Sequence, residues 1–245
     1  MENKIEFLNE DCFEGMKTIP DHSVDLVLTD PPFACSKCEW DKEVDFQKLR
    51  EELKRICREK ALFVSFSKQP FTTKLMNAFP GCFKDIWYWK KHVYTGFLDV
   101  QKRPLRAIEE VLVFKINRTA TRTLYNPQMK KLAKPRKNDW NRAGKSELYN
   151  DHDPKKKVTY TNFSYPINFL DFNEPQKGKI HPCQKPLNLV KFLMKTYSNE
   201  GMTVLDPFAG SCVVGLACRD LGRNFIGFEM DKEIYKKAIE RIRPQ

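Results

Sequence analysis

The residues best placed to do chemistry stand together in Thr29-Asp30-Pro31-Pro32-Phe33, where an acid, two prolines and an aromatic ring end an apolar run. Each proline fixes its own φ, lacks an N–H and disfavours the helical region for the residue before it, so Asp30 and Pro31 are both held extended. A stiff extended stretch presents the Asp30 carboxylate and the Pro31 carbonyl as two acceptors at fixed spacing, with the Phe33 ring as a flat apolar wall beside them. That set suits an aromatic base carrying an exocyclic amino group. The plainer alternative is a strand running into a proline-rich loop, with Asp30 as a helix cap and Phe33 in the core.

A second constellation lies near the other end of the chain. Thr203-Val204-Leu205-Asp206 reads as a buried strand, and Pro207-Phe208-Ala209-Gly210-Ser211 as a tight turn into a helix carrying Val213, Val214, Leu216, Ala217 and Leu221. A strand, a small-residue turn and a helix form a ligand-binding unit in doubly wound sheets. The next strand, Asn224 to Phe228, ends in Glu229, roughly 20 residues past the turn, where nucleotide folds place an acceptor for a ribose hydroxyl. Neither GxGxxG nor a Walker lysine occurs, which makes NAD and ATP poorer fits than another adenosine cofactor. Asp11 follows a short strand, Ile5 to Leu8, and is either a ligand contact or a helix N-cap.

The charge is uneven. The chain carries a formal +11, and residues 115–160 hold thirteen Lys or Arg against four Asp or Glu. Such a segment attracts a polyanion, and the interleaved Tyr125, Trp140, Tyr149 and Tyr160 can stack on bases. Lys130, Lys131, Lys134, Arg136, Lys137 and Arg142 are the candidate contacts, with a solvated basic loop as the alternative. Cys35 and Cys38 form a lone CxxC without a second pair at zinc spacing, so no metal is predicted. Eight scattered cysteines and an N-terminus without a signal-peptide pattern predict a reducing, cytoplasmic setting. With no run of 18 apolar residues, no membrane span is predicted.

These groups need a scaffold, and 245 residues suit one sizeable α/β domain with an insertion. Alternation predicts further strands at 24–29, 61–66, 83–89 and 108–116. Helical spacing predicts helices at 46–56 and 71–79, a third starting at Pro186, and a last one carrying Ile234, Tyr235, Ala238, Ile239 and Ile242. Residues 92–106 read as a polar, basic loop. From 117 to 179 the pattern dissolves into an irregular insertion.

Taken together, TDPPF, HPCQKP (181–186) and LDPFAGS (205–211), in that order, resemble the amino-methylating DNA methyltransferases of the beta arrangement, which act on N4 of cytosine or N6 of adenine. Asn9-Glu10-Asp11-Cys12, Cys38-Glu39-Trp40-Asp41 and the closing GRNFIGFE extend the resemblance over nearly the whole chain. It implies a doubly wound α/β fold with a seven-stranded, mostly parallel, Rossmann-like sheet in permuted order. The catalytic half would be 1–116, a target-recognition insertion 117–179, and the cofactor half 180–245.

The resemblance also implies roles. S-adenosylmethionine would be the cofactor, with Asp206, Pro207, Phe208, Ala209, Gly210 and Ser211 on its methionine side, Glu229 on its ribose, and Asp11 with Cys12 flanking its adenine. Lys185 would neutralise its carboxylate, or the His181 to Pro186 motif would support the loop. Asp30 and Pro31, with Pro32 stiffening them, would accept from the target amino group, and Phe33 would stack on a base flipped out of the duplex. DNA is the implied partner, with room for a cognate restriction endonuclease and a homodimer, and no membrane.

Adenine is favoured over cytosine because the cytosine relatives more often carry serine where Asp30 stands. Competing readings are N4-cytosine methylation, carbon-5 methylation through Pro182-Cys183-Gln184, a catalytically silent DNA-binding relative, and RNA or protein glutamine as acceptor. Two positions depart from the family pattern, with Ala34 and Cys212 where glycine is usual. If Cys212 is the first helical residue, its φ is negative and a side chain fits.

Overall fold

The computed structural model describes residues 3–34, 41–138, 159–173, 178–181 and 183–242. Cys35, Cys38, Trp140, Arg142, Tyr149 and Pro182 lie outside them, as does the side chain of Tyr160.

In chain order the elements are β1 (Ile5–Leu8), α1 (Cys12–Met16), β2 (Val24–Thr29), α2 (Phe46–Ile56), β3 (Cys57–Ser67), α3 (Phe71–Ala78), β4 (Phe83–Thr95), β5 (Arg106–Lys115), β6 (Lys130–Asn138), β7 (Thr159–Ser164), β8 (Phe169–Asp171), α4 (Leu187–Tyr197), β9 (Thr203–Asp206), α5 (Val213–Leu221), β10 (Asn224–Phe228) and α6 (Lys232–Ile242). They fall into two compact units, residues 1–126 with 168–245, and residues 127–167.

The first unit is built on a sheet in the order β1-β10-β9-β2-β3-β5-β4-β8. Only the β3–β5 and β5–β4 pairs are antiparallel. The sheet has eight strands where seven were expected. The eighth, β8, pairs in parallel with β4 from Tyr88↔Phe169 to Lys90↔Asp171, and its three residues are too few to show a period inside a polar stretch. Strand β4 also runs on to Thr95, into residues expected to be loop.

Alternation along the strands divides the core into two layers. Leu26, Leu28, Val64, Val111 and Val113 face α4, α5 and α6 through Val190, Leu193, Met194, Leu216, Ala217 and Ala238. Val27, Phe63, Leu112 and Phe114 face α1, α2 and α3 through Met16, Leu49, Leu53, Ile56 and Leu75. The helices of the first half thus cover one face and those of the second half the other. The apolar spacing of α2 predicts its buried side, and Asp45 starts that helix by accepting the N–H groups of Gln47 and Lys48.

Strands β9 and β10, from the far end of the chain, insert between β1 and β2. From β2 the chain moves outward to β3, and from β9 outward in the opposite direction to β10, so the β2–β9 seam is the topological switch point. Because β1, β10, β9, β2 and β3 are mutually parallel, the loops after them all emerge at one edge of the sheet.

The second unit contains the antiparallel pair β6 and β7, in register from Lys130↔Ser164 to Asn138↔Thr159 with an irregularity between Lys131 and Arg136. Pro135 sits inside that irregularity, where a missing N–H breaks no regular ladder. Residues 117–126 and 168–173, grouped with the insertion on sequence pattern, belong to the first unit.

Candidate active site

The site begins at the seam. The Thr29 hydroxyl at the end of β2 donates to Asp206 Oδ1 at the end of β9, 2.6 Å away, and both residues are buried. The Phe208 N–H donates to the same oxygen at 3.2 Å, which turns the chain directly after the strand. Burial pushes the Asp206 carboxyl up to about 7, although the Thr29 hydroxyl and the Phe208 N–H oppose this.

Beyond Asp206 the loop is tight. The Ala209 N–H donates to Phe228 O on β10, and Gly210 has φ +49 with open space where a Cβ would point. Cys212 is not the first helical residue; it is the N-cap of α5, in the left-handed region at φ 54. Ala34, the other departure, likewise has φ 51. Glycine is usual at both positions because an L side chain there meets its own backbone. The expectation of a negative φ at Cys212 is therefore corrected.

Glu229 directly follows β10, and its Oε1 accepts the Asp231 N–H at 2.7 Å. Burial raises its carboxyl above the usual range, against donation from the N–H groups of Asp231 and Gly210. Asp11, at the end of β1, caps α1 by accepting from the N–H groups of Phe13 and Glu14, and Cys12 is the buried first residue of that helix. The Asn9 side chain donates to Glu229 O at 2.7 Å, which ties these two loops together.

On the other side of the seam, Asp30 stands one residue past Thr29. Its Oδ2 lies 2.9 Å from Lys185 Nζ. Its Oδ1 is buried and has no hydrogen-bond partner among the described residues. Burial pushes the Asp30 carboxyl up to about 6, against the pull of the Lys185 ammonium. The Phe33 ring packs against Phe71 with centroids 4.7 Å apart, and Lys68 Nζ stands 5.1 Å from its centroid. Ala34 N–H donates to Asp41 Oδ1 at 2.8 Å, closing the loop after the motif.

Lys185, expected beside a cofactor carboxylate, has its ammonium between two protein carboxylates: Asp30, and Glu109 Oε1 at 2.5 Å. Burial works against the charge of this lysine, but the two acids overcome it and hold its pKa above the ordinary lysine value. The loop that carries it is held by its own hydrogen bonds and by α6. His181 Nδ1 accepts the Cys183 N–H, and Gln184 Oε1 accepts from Ile180 N and from Arg241 on α6. Burial raises the Cys183 thiol, with the nearby Asp30 charge adding to the effect.

Sequence reading passed over Glu109 and gave Thr29, though part of the motif, no role of its own. A signal for Glu109 existed: it stands in alternation with Val111 and Val113, the buried apolar positions on one face of its strand. Of the basic candidates, Lys130, Lys131, Lys134, Arg136 and Lys137 are exposed on β6 in the second unit, with Phe163 exposed on β7. Tyr125 belongs to the first unit and packs on Tyr197 at 6.3 Å with Lys84 above it, so it is placed as a packing residue rather than as part of the insertion.

Several known proteins are similar to this chain. DNA adenine methyltransferase YhdJ of Escherichia coli (strain K12) is 25% identical over 253 residues, covering 96% of this chain and 81% of that protein. Type II methyltransferase M.HpaI of Haemophilus parainfluenzae is 24% identical over 249 residues, covering 94% of this chain and 72% of its own. Among solved structures, the M1.HpyAVI–SAM complex is 25% identical with a TM-score of 0.64, covering 97% of this chain and 99% of the other. The cytosine-N4-specific PvuII DNA methyltransferase has a TM-score of 0.69 at 18% identity, covering 100% and 88%.

The DNA methylase profile of the N6 and N4 enzymes matches residues 24–240, from the first residue of β2 into α6 and through both the Asp30 and the Asp206 loops; the chain belongs to that family.

Proposed function

We propose that this protein transfers a methyl group from S-adenosylmethionine to the exocyclic N6 amino group of adenine at a specific sequence in DNA. The observation that carries the reading is the divided Asp30 carboxylate: Oδ2 is held by Lys185, while Oδ1 is buried and unpartnered among the described residues. A buried acceptor without a donor is costly, and a substrate N–H removes that cost.

The residues at the seam fit the cofactor. The open space beside Gly210 accommodates a chain that a Cβ would crowd, and Glu229 retains acceptor capacity beyond its backbone donors for a ribose hydroxyl. Asp206 to Ser211 would line the methionine side. Asp11 commits its carboxylate to capping, so its loop and Cys12 would meet the adenine by shape. When bound, the cofactor supplies a sulfonium methyl group already activated for in-line transfer.

What this chain must add is geometry. An aromatic amino nitrogen delocalises its lone pair into the ring, and two acceptors on its hydrogens favour the pyramidal, nucleophilic form. Asp30 Oδ1 and the Pro31 carbonyl are those acceptors, Pro32 keeps them extended, and Phe33 offers the face for the base. Catalysis is then positioning and electrostatic stabilisation. The base reaches this pocket flipped out of the duplex. Residues 127–167 grip the DNA through Lys130, Lys131, Lys134, Arg136 and Lys137, with Arg142 beyond the described residues.

Adenine rather than cytosine rests on the carboxylate, which accepts a more strongly charge-assisted hydrogen bond than a hydroxyl, and on the relative named as an adenine methyltransferase. The setting is the cytoplasm, and the Type II relatives suggest a paired restriction endonuclease.

In a labelled-methyl transfer assay, Asp30→Ala lowers turnover on the order of 10²- to 10³-fold, while calorimetric cofactor binding is unchanged. Near-normal turnover would overturn the assignment. Cys183→Ser stays active, since its raised thiol is poorly suited to a nucleophilic thiolate. Loss of activity with the fold intact would revive carbon-5 methylation.

A further inference from the structure

We propose that Glu109, acting through Lys185, is a positioning residue that aims Asp30 Oδ1 at the target amino group. This rests on the reading of Asp30 as the amino-group acceptor and deepens it.

The geometry is a chain of ion contacts through one partly buried and two buried side chains: Asp30 Oδ2 to Lys185 Nζ at 2.9 Å, and Lys185 Nζ to Glu109 Oε1 at 2.5 Å. The Lys185 and Glu109 side chains are only 7% and 8% exposed. Burying an acid and a base together in this way calls for a reason beyond stability, because such pairs rarely stabilise more than apolar packing does.

A lysine alone would not orient Asp30. Its ammonium carries three donors on a flexible four-carbon stem and can follow a carboxylate through several rotamers. Glu109 removes that freedom. It sits on β5, paired with Trp89 of β4 and one residue beyond the last β3 pair, Ser67↔Glu110, so the β4 ladder fixes its Cα. The ammonium it anchors also lies 5.0 Å from the Phe66 ring centroid and 5.9 Å from that of Phe33. With Nζ held from three sides, Asp30 turns Oδ2 toward it and leaves Oδ1 for the substrate.

The titratable groups facing this cluster include His181 on the Lys185 loop, whose charged form is disfavoured by burial and then by Lys185, and the charges of five elements. Lys185 precedes α4, Glu109 lies on β5, Lys91 on β4 stands 3.6 Å from Glu109 Oε2, Lys68 follows β3, and Asp206 ends β9. The nearby Cys183 is uncharged when its thiol is raised. Within this set Lys185 favours the charged form of Asp30 and Glu109 disfavours it. Glu109 itself stays ionised: burial opposes its charge, but Lys185, then Lys91 and Lys68, outweigh it.

Opposite signs give a test that a purely structural role would not pass. Single-turnover methyl transfer is measured against pH for the full-length protein and its variants. In Glu109→Gln the acidic limb moves down by about one pH unit, because a like charge is gone, and the plateau rate falls up to about 100-fold, because Asp30 is less well aimed. In Lys185→Met the limb moves up, and Lys185→Arg returns it toward the wild-type position. Calorimetric binding of S-adenosylhomocysteine stays within about threefold in each variant, a difference of under 1 kcal/mol.

Limbs that move together, or not at all, overturn the proposal. So does a tenfold or greater loss of S-adenosylhomocysteine affinity in Lys185→Met, which would make Lys185 a partner of the cofactor. If Lys185→Met does not fold, the downward shift in Glu109→Gln decides alone. An inactive Asp30→Ala with unmoved limbs removes only the relay, whereas an active Asp30→Ala removes the reading beneath it.

Discussion

Thr29 and Asp206 meet across 177 residues of sequence, with the threonine hydroxyl donating to the buried carboxylate at 2.6 Å. Each closes a parallel strand at the point where the chain's two halves turn away from one another. Asp30 on one side and the Asp206 loop on the other are therefore held in fixed relation, which a transfer between a cofactor and a base requires.

Removing that bond leaves a buried carboxylate short of a donor. Thr29→Val is expected to cost about 1–3 kcal/mol in urea unfolding and to weaken S-adenosylhomocysteine binding in calorimetry, while Thr29→Ser keeps both. Unchanged stability in the valine variant would show that the bond does not tie the seam.

Asp206 also gives stability a pH dependence. Its folded pKa of about 7 lies above the ordinary 3.8, so the fold prefers the protonated form. Its contribution is therefore fully present below about pH 4 and is lost as pH rises through about 7. Asp206→Asn keeps an acceptor for Thr29 without the charge. Its stability relative to the wild type should rise from pH 4 to pH 7, by up to about 4 kcal/mol. Urea midpoints across that range check the sign, and a gap that narrows with rising pH would contradict it.

Much of this was legible in sequence because the site acids end strands. Asp30, Asp206 and Glu229 each break an apolar run at its carboxyl end, and parallel pairing brings those ends to one edge. What stayed hidden depends on partners distant in the chain. Lys185 stands out by its motif, but its ion pair with Glu109 exists only because antiparallel β5 returns beside β3. Thr29 looks like any strand residue until β9 lies next to it. The three residues of β8 carry no period, and the left-handed turn at Cys212 follows from loop closure against β10, which no local pattern encodes.

Of the non-glycine residues at positive φ, Ala34 and Cys212 stand in the loops of the site and should respond differently to glycine. Ala34 is exposed, and relief of left-handed strain, worth about 1–2 kcal/mol less the entropy glycine brings to the unfolded chain, should leave Ala34→Gly slightly more stable. Cys212 is fully buried, and a Cβ built on Gly215 would lie 2.5 Å from its Sγ, so Cys212→Gly gains the same relief but empties a packed position. Thermal melts should rank Ala34→Gly above the wild type and Cys212→Gly below Ala34→Gly. Ala34→Gly melting below the wild type would mean that backbone strain at that position is negligible.

The basic strand β6 bears on DNA affinity. Replacing Lys130, Lys131, Arg136 and Lys137 by Gln should weaken binding and flatten the dependence of log affinity on log salt, by about 0.9 for each phosphate no longer neutralised. An unchanged slope in a fluorescence titration would leave this strand as solvated surface.

The most direct measurement is mass spectrometry of nucleosides from DNA incubated with the protein and S-adenosylmethionine. N6-methyladenine is expected, absent when Asp30→Ala is used. N4-methylcytosine or 5-methylcytosine in its place, or methyladenine formed equally well without Asp30, would contradict it.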